Sequence, residues 1–202
     1  MIFTAHRINT IKELRQIPAH NGIEIDVRDC SNNLILSHNP FKNGVTLNKF
    51  LNFYKHKFII VNVKSEGIEK KIYNLLKKKK ISNFFFLDTS FPFLIKYSKT
   101  LSKKFALRIS DLESSDTLFN IKSRINWVWL DCFKEFNISI KILKKIKRLN
   151  YKICIVSPNL HGRNISNKDK VFFKKIKKNK IKIDMICEKK PKFLLWKKLF
   201  IN

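Results

Sequence analysis

Apolar runs of five to seven residues recur along the whole chain, and a lysine-rich stretch with helical spacing separates each from the next. The runs are Ile2–His6, Ile23–Arg28, Phe58–Lys64, Phe84–Asp88, Phe105–Ile109, Trp127–Asp131, Tyr151–Val156 and Lys182–Cys187. Each reads as a buried strand. The spacers Thr10–Ala19, Leu47–Tyr54, Ile68–Lys79, Pro92–Lys103, Thr117–Arg124, Ile138–Leu149 and Lys168–Lys178 read as helices, and Phe193–Leu199 closes the series. In one of them Ile140, Leu143, Ile146 and Leu149 recur every third residue with lysines between, the mark of a solvated helix lying on a sheet. Strands joined through helices run parallel, because each crossover needs a helix. Eight such units predict an α/β fold closed as a compact (β/α)8 TIM barrel. A dinucleotide-binding open sheet would favour a GxGxxG turn, which the four glycines do not supply. Leu34–Ser37 follows the second strand at once and predicts a short hairpin with it. The 202 residues fit one domain, 1–202, with trimmed loops, since such barrels typically take about 250.

Forty-three Lys+Arg against fifteen Asp+Glu give a formal charge of +28, a field that draws polyanions and anionic lipid surfaces. Lysine abounds throughout with Asn, Ile and Phe, so the bias reads as compositional and predicts no specific nucleic-acid binding. The run Lys77–Lys80 reads as a helix C-terminus favoured by the dipole, and Phe84–Phe86 as a buried strand. The amphipathic tail from Phe193 offers peripheral contact with an anionic membrane besides its role as last helix. Cys30, Cys132, Cys154 and Cys187 form no CxxC pair and match neither a zinc ribbon nor a disulfide framework. No basic-then-apolar leader opens the chain, and no apolar run reaches the ~18 residues of a membrane span. A soluble cytoplasmic protein is the expectation.

Barrel active sites lie where strands end. The first strand ends Thr4-Ala5-His6-Arg7, and the second runs Glu24-Ile25-Asp26-Val27-Arg28. The hairpin delivers Ser37-His38-Asn39, and the third long run ends Asn62-Val63-Lys64. Side chains alternate along a strand, so Glu24 and Asp26 share one face, as do Asn62 and Lys64. Two carboxylates on one barrel-facing edge are costly to bury without a cation between them. Oxygen ligands favour Mg2+ or Ca2+ over zinc.

This order of residues resembles the glycerophosphodiester phosphodiesterase family, whose signature runs HRG, ENT, E-x-D, HD and E-x-K. The chain supplies His6-Arg7-Ile8 with Asn9-Thr10, then Glu24-Ile25-Asp26, His38-Asn39 and Asn62-Val63-Lys64. The likeness is strongest over residues 1–67 and extends weakly through the eightfold alternation to Asp184–Pro191. It implies a phosphoric diester hydrolase acting on a glycerophosphodiester or related alcohol phosphate ester, a small-molecule substrate. His6 and His38 would be the acid–base pair, Glu24 and Asp26 ligands of a divalent metal, and Arg7 and Lys64 the phosphate clamp. The chemistry is coherent by itself: two imidazoles exchange protons near neutral pH, while cations neutralise the non-bridging oxygens.

The departures matter too. Asn62 stands where the family has a third carboxylate, Ile8 where it has Gly, and Asn39 where it has Asp. An amide oxygen still coordinates a hard cation but brings no charge. Beyond the motif, Arg108, Asp131, His161 and Arg163 fall at later strand ends, where they are placed to contact substrate or phosphate; Asp131 is also placed to replace the lost carboxylate. Three alternatives stay open on these residues. One is a catalytically weakened barrel that binds phosphorylated ligand or anionic lipid, another a barrel lyase that stops at a cyclic phosphate. The third is a basic nucleic-acid-binding protein, whose sign would be lysines gathered on one face.

Overall fold

The computed structural model describes residues 1–121 and 124–200. Nine strands form: β1 (Ile2–Ala5), β2 (Gly22–Cys30), β3 (Asn33–Leu36), β4 (Phe58–Val63), β5 (Phe84–Leu87), β6 (Ala106–Ile109), β7 (Trp127–Leu130), β8 (Lys152–Val156) and β9 (Met185–Glu188). Between them lie α1 (Ile11–Gln16), α2 (Leu47–Leu51), α3 (Glu69–Lys78), α4 (Phe91–Tyr97), α5 (Asp116–Asn120), α6 (Ile140–Arg148), α7 (Asn167–Lys178) and α8 (Phe193–Phe200). Eight strands lie side by side in the order β5-β4-β2-β1-β9-β8-β7-β6, and every pair along that path is parallel. The two end strands meet through one parallel bridge, Phe86 to Phe105, where the Phe86 N–H donates to the Lys104 carbonyl at 2.7 Å. The result is a nearly closed (β/α)8 barrel. β3 pairs antiparallel with β2, which is the expected hairpin.

Local chemistry explains where the helices start. Thr10 caps α1 and Ser166 caps α7, each in a reciprocal box with an acid three residues on, Glu13 and Asp169. Ser139 caps α6, which buries Leu143 and Ile146 against the sheet and turns its lysines outward. Several helices are shorter than their apolar spacing predicts. The stretch 92–103 is helical only to Tyr97, because the chain turns through left-handed Ser102 and Lys103 to reach β6. Likewise 117–124 forms only α5, and its positions 122–123 lie outside the described residues. The last strand begins at Met185 rather than Lys182.

The strand pleat divides the core in two. One set of side chains faces the helices and makes the larger cluster, with Ile23, Ile59, Val128 and Ile153 among its fully buried members. The other fills the barrel, where Phe58, Ile60, Phe85, Trp127, Trp129, Cys154, Met185 and Cys187 pack together. The rings of Phe58, Phe85 and Trp127 lie 5.0–5.6 Å apart, centre to centre. Along each inward row the apolar residues come first and polar ones last: Phe58, Ile60, Asn62, Lys64 on β4, and Trp127, Trp129, Asp131 on β7. The barrel is therefore a hydrophobic plug below a polar mouth. Among the described residues, no helix is long and apolar enough to cross a membrane. The four cysteines are free thiols, three of them buried.

After β3 the chain doubles back, with the Leu36 N–H donating to the Val45 carbonyl at 2.9 Å and Thr46 bridging Ile35. Gly44 makes this return possible, since a Cβ there would lie 2.1 Å from the Leu36 carbonyl oxygen. Gly44→Ala should cost about 1–3 kcal/mol by overpacking. The same change should speed proteolysis within 37–43, and thermal denaturation with limited proteolysis checks both effects.

Candidate active site

Two adjacent carboxylates define the mouth. Glu24 and Asp26 are both buried on the inward row of β2, and the Asp26 Cα is in register with that of Asn62 on β4. Backbone and amide groups hold Glu24. The left-handed conformation of Arg7 aims its N–H at Glu24 Oε2, 2.6 Å away, and Asn62 Nδ2 donates to Oε1 at 3.0 Å. Asp26 is gripped reciprocally by Asn9, whose Nδ2 donates to Oδ2 at 2.8 Å while Oδ1 accepts from the Asp26 N–H at 2.9 Å. His6 Nε2 lies 3.8 Å from Glu24 Oε2, Arg7 Nε 3.7 Å from Asp26 Oδ2, and Lys64 Nζ 3.6 Å from Asp26 Oδ1. The structure thus brings His6, Arg7, Glu24, Asp26, Asn62 and Lys64 into one cluster.

From Lys64 the charges alternate around the mouth. Asp88 Oδ2 lies 3.7 Å from Lys64 Nζ, and Asp88 Oδ1 lies 2.5 Å from Arg108 Nη2. Arg108 Nη1 pairs with Asp131 Oδ2, and Asp131 Oδ1 sits 2.6 Å from His161 Nε2. Asp88 has no counterpart among the expected site residues. Its sequence signal is a charge directly after the apolar run Phe84–Leu87, and its left-handed backbone places it between two cations. Arg28 is a second addition: its guanidinium donates to the carbonyls of His38 and Lys64, at 3.1 and 3.0 Å, and so ties the two loops together.

His38 lies in the loop beyond β3, one residue after Ser37, whose N–H donates to the Asp26 carbonyl at 3.1 Å. Its Nδ1 is 2.8 Å from Asn39 Oδ1, an atom that only accepts, so Nδ1 donates there and Nε2 is the ring nitrogen left to exchange a proton. Arg163 is engaged elsewhere. It binds Asp169 at 2.6 and 3.2 Å and the Cys132 sulfur at 2.6 Å, fastening the start of α7 to the end of β7. Glu188, fully buried, accepts from Ser157 Oγ at 2.5 Å, Asn159 Nδ2 at 2.8 Å and Trp196 Nε1 at 3.1 Å, and thereby anchors α8. His20 is exposed, and His56 Nε2 is 2.8 Å from the Ile17 carbonyl, away from the mouth.

Burial sets the proton affinities. Desolvation, reinforced by the charge of Arg7, lowers His6 to about 4 and leaves it neutral near pH 7. Desolvation and then the Asp26 charge push Glu24 up to about 8. Two buried oxygens, Asp26 Oδ1 and Asn62 Oδ1, have no hydrogen-bond partner, and both belong to residues flanking Glu24. Such orphaned oxygens beside two carboxylates fit a hard cation. The donor set is lean: among the described residues, no three His, Cys, Asp or Glu side chains gather to hold a metal.

Fold and mouth together define a (β/α)8 barrel whose reactive groups sit where the strands end. Two solved structures share that architecture. The crystal structure of a glycerophosphodiester phosphodiesterase from Agrobacterium tumefaciens strain C58 superposes with a TM-score of 0.66 at 13% identity, over 94% of this chain and 97% of that one. A glycerophosphoryl diester phosphodiesterase from Parabacteroides distasonis ATCC 8503 gives 0.61 at 12%, over 93% and 82%. These likenesses show the fold, and they name the same family that the motif order resembles. No protein-family model matches the sequence, and no curated protein matches it.

The raised Glu24 affinity has a stability consequence. The folded value near 8 lies above the 4.5 of an unperturbed side chain, so Glu24 binds its proton more tightly when folded. Its stabilising contribution is full below pH 4.5 and is lost as pH rises towards 8. In chelator, Glu24→Gln should flatten this decline between pH 5 and 8, as read by urea denaturation at each pH; an unchanged slope would count against the assignment.

Proposed function

We propose that the protein hydrolyses a small phosphodiester, such as a glycerophosphodiester or related alcohol phosphate ester, by two-histidine acid–base catalysis with a divalent cation. The observation that carries this reading is the convergence of His6, Glu24, Asp26, Asn62 and Lys64 on one inward-facing cluster. The shared fold of two phosphodiesterases supports it.

His6, neutral because it is buried, takes the proton from the attacking hydroxyl as its oxygen bonds to phosphorus. The bond to the leaving alkoxide then breaks, and His38, acting as the imidazolium with its Nδ1 proton held by Asn39, supplies that oxygen with a proton from Nε2. Lys64 and Arg108, which flank Asp88 at the mouth, would neutralise the non-bridging oxygens, with Arg7 on the open side. Glu24, Asp26 and Asn62 would hold Mg2+ or Ca2+, which supplies charge neutralisation at the phosphoryl group. His161, oriented by Asp131, lies further round the same mouth.

A second reading, a barrel that holds a phosphorylated ligand without turnover, is favoured by the pairing of Lys64 and Arg108 with carboxylates and by the neutral Asn62. Phosphorus NMR of a phosphodiester panel, with and without chelator, separates the two. We expect product formation that chelator suppresses, and at least about a hundredfold loss for His6→Ala and for His38→Ala. Ligand binding without product in every reaction would establish the second reading.

A further inference from the structure

The charge of +28 is not spread evenly over the barrel. At the mouth, Lys64, Arg108 and Arg163 all have carboxylate partners, and the same end also carries Asp29, Glu66, Asp111, Glu113 and Asp116. The opposite end, where helices finish and strands begin, is different. Segments 52–57, 77–83, 98–105, 147–152 and 175–184 contain one acidic residue, Asp184, and Lys147 pairs with it at 2.7 Å. The same end of the barrel carries exposed Lys55, Lys57, Lys80, Lys103, Lys152 and Lys180. Lys55, Lys57 and Lys80 line one depression of about 320 Å³, and Lys180 and Lys182 line another of about 360 Å³ beside Met1. Burial, and more weakly the charge of Lys152, holds Lys104 below the usual range. Phe53, Leu149 and Met1 are exposed at the same end, at 39%, 38% and 44%.

We infer that this basal face docks the protein on an anionic membrane surface. Three features favour a bilayer over a nucleic acid. The lysines come from connections distributed around the barrel axis, so a plane of anions engages them together while a duplex would meet only a strip. Compact lysine charges suit a diffuse field of lipid phosphates and carboxylates, whereas base readout favours arginine forks. The exposed Phe, Leu and Met side chains among them can enter the headgroup layer. Docked this way, the mouth points to solution; on the hydrolase reading above, its substrate is then water-soluble. The docking itself does not depend on that reading.

Co-sedimentation tests it, using phosphatidylcholine vesicles with and without about one third phosphatidylserine, since each surface lysine is worth roughly fivefold in affinity. The protein should bind the anionic vesicles only, and high salt should release it. The quadruple variant K55Q/K57Q/K80Q/K152Q should bind at least about a hundredfold more weakly, while K42Q/K134Q at the mouth should bind normally. Circular dichroism confirms that both variants are folded, and any phosphodiester turnover should be unchanged in the quadruple variant. Equal binding to both vesicle types, equal loss in the mouth variant, or tighter binding to duplex DNA at the same salt would overturn the inference.

Discussion

Two carboxylates are buried side by side, and much of the mouth is arranged around their cost. Carboxylates away from water need hydrogen bonds, counter-charge or a retained proton. Burial, pushing Glu24 up to about 8, makes it keep its proton near pH 7. Glu24 receives the Arg7 N–H and the Asn62 amide; the Asp26 carboxylate accepts from Asn9 Nδ2 while the Asp26 N–H donates to Asn9 Oδ1. Arg7 and Lys64 supply positive charge, and the alternation through Asp88, Arg108, Asp131 and His161 continues around the mouth. The left-handed backbones of Arg7 and Asp88 follow from the same need, because each positions a group that balances a neighbour.

Much of this arrangement was legible in the residues themselves. A period of two puts Glu24 with Asp26 and Asn62 with Lys64, and parity alone aims both pairs inward once the barrel is assumed. Arg108 and Asp131 follow from the same rule, as the inward rows Ala106–Arg108 and Trp127–Trp129–Asp131 show. Asp88 was not legible as a site residue, because it owes its direction to a left-handed turn and not to strand parity. Nor was Arg28, whose two carbonyl partners come from separate loops. Arg163 looks like a phosphate ligand in a polar loop, yet Asp169 at the start of α7 takes its guanidinium. Helix ends were the weakest point, since apolar spacing continues into the turns after α4 and α5.

The two ends of the barrel divide the labour. Parallel helices all direct their C-termini to the base, where the dipole favours lysine, and their N-termini to the mouth, where it favours acids. Composition explains why lysine is abundant; helix direction explains why it collects at the base. The mouth remains nearly balanced in charge and therefore receptive to a specific ligand rather than to any polyanion.

The account turns on Glu24, Asp26 and Asn62 forming a cation-binding edge beside His6. Anomalous diffraction from crystals soaked in Mn2+ tests this directly. The account predicts one strong peak within coordination distance of a Glu24 oxygen, Asp26 Oδ1 and Asn62 Oδ1, with Lys64 displaced towards Asp88. An Asp26 still paired with Lys64 and no peak in the mouth, or a peak only at surface carboxylates, would contradict it.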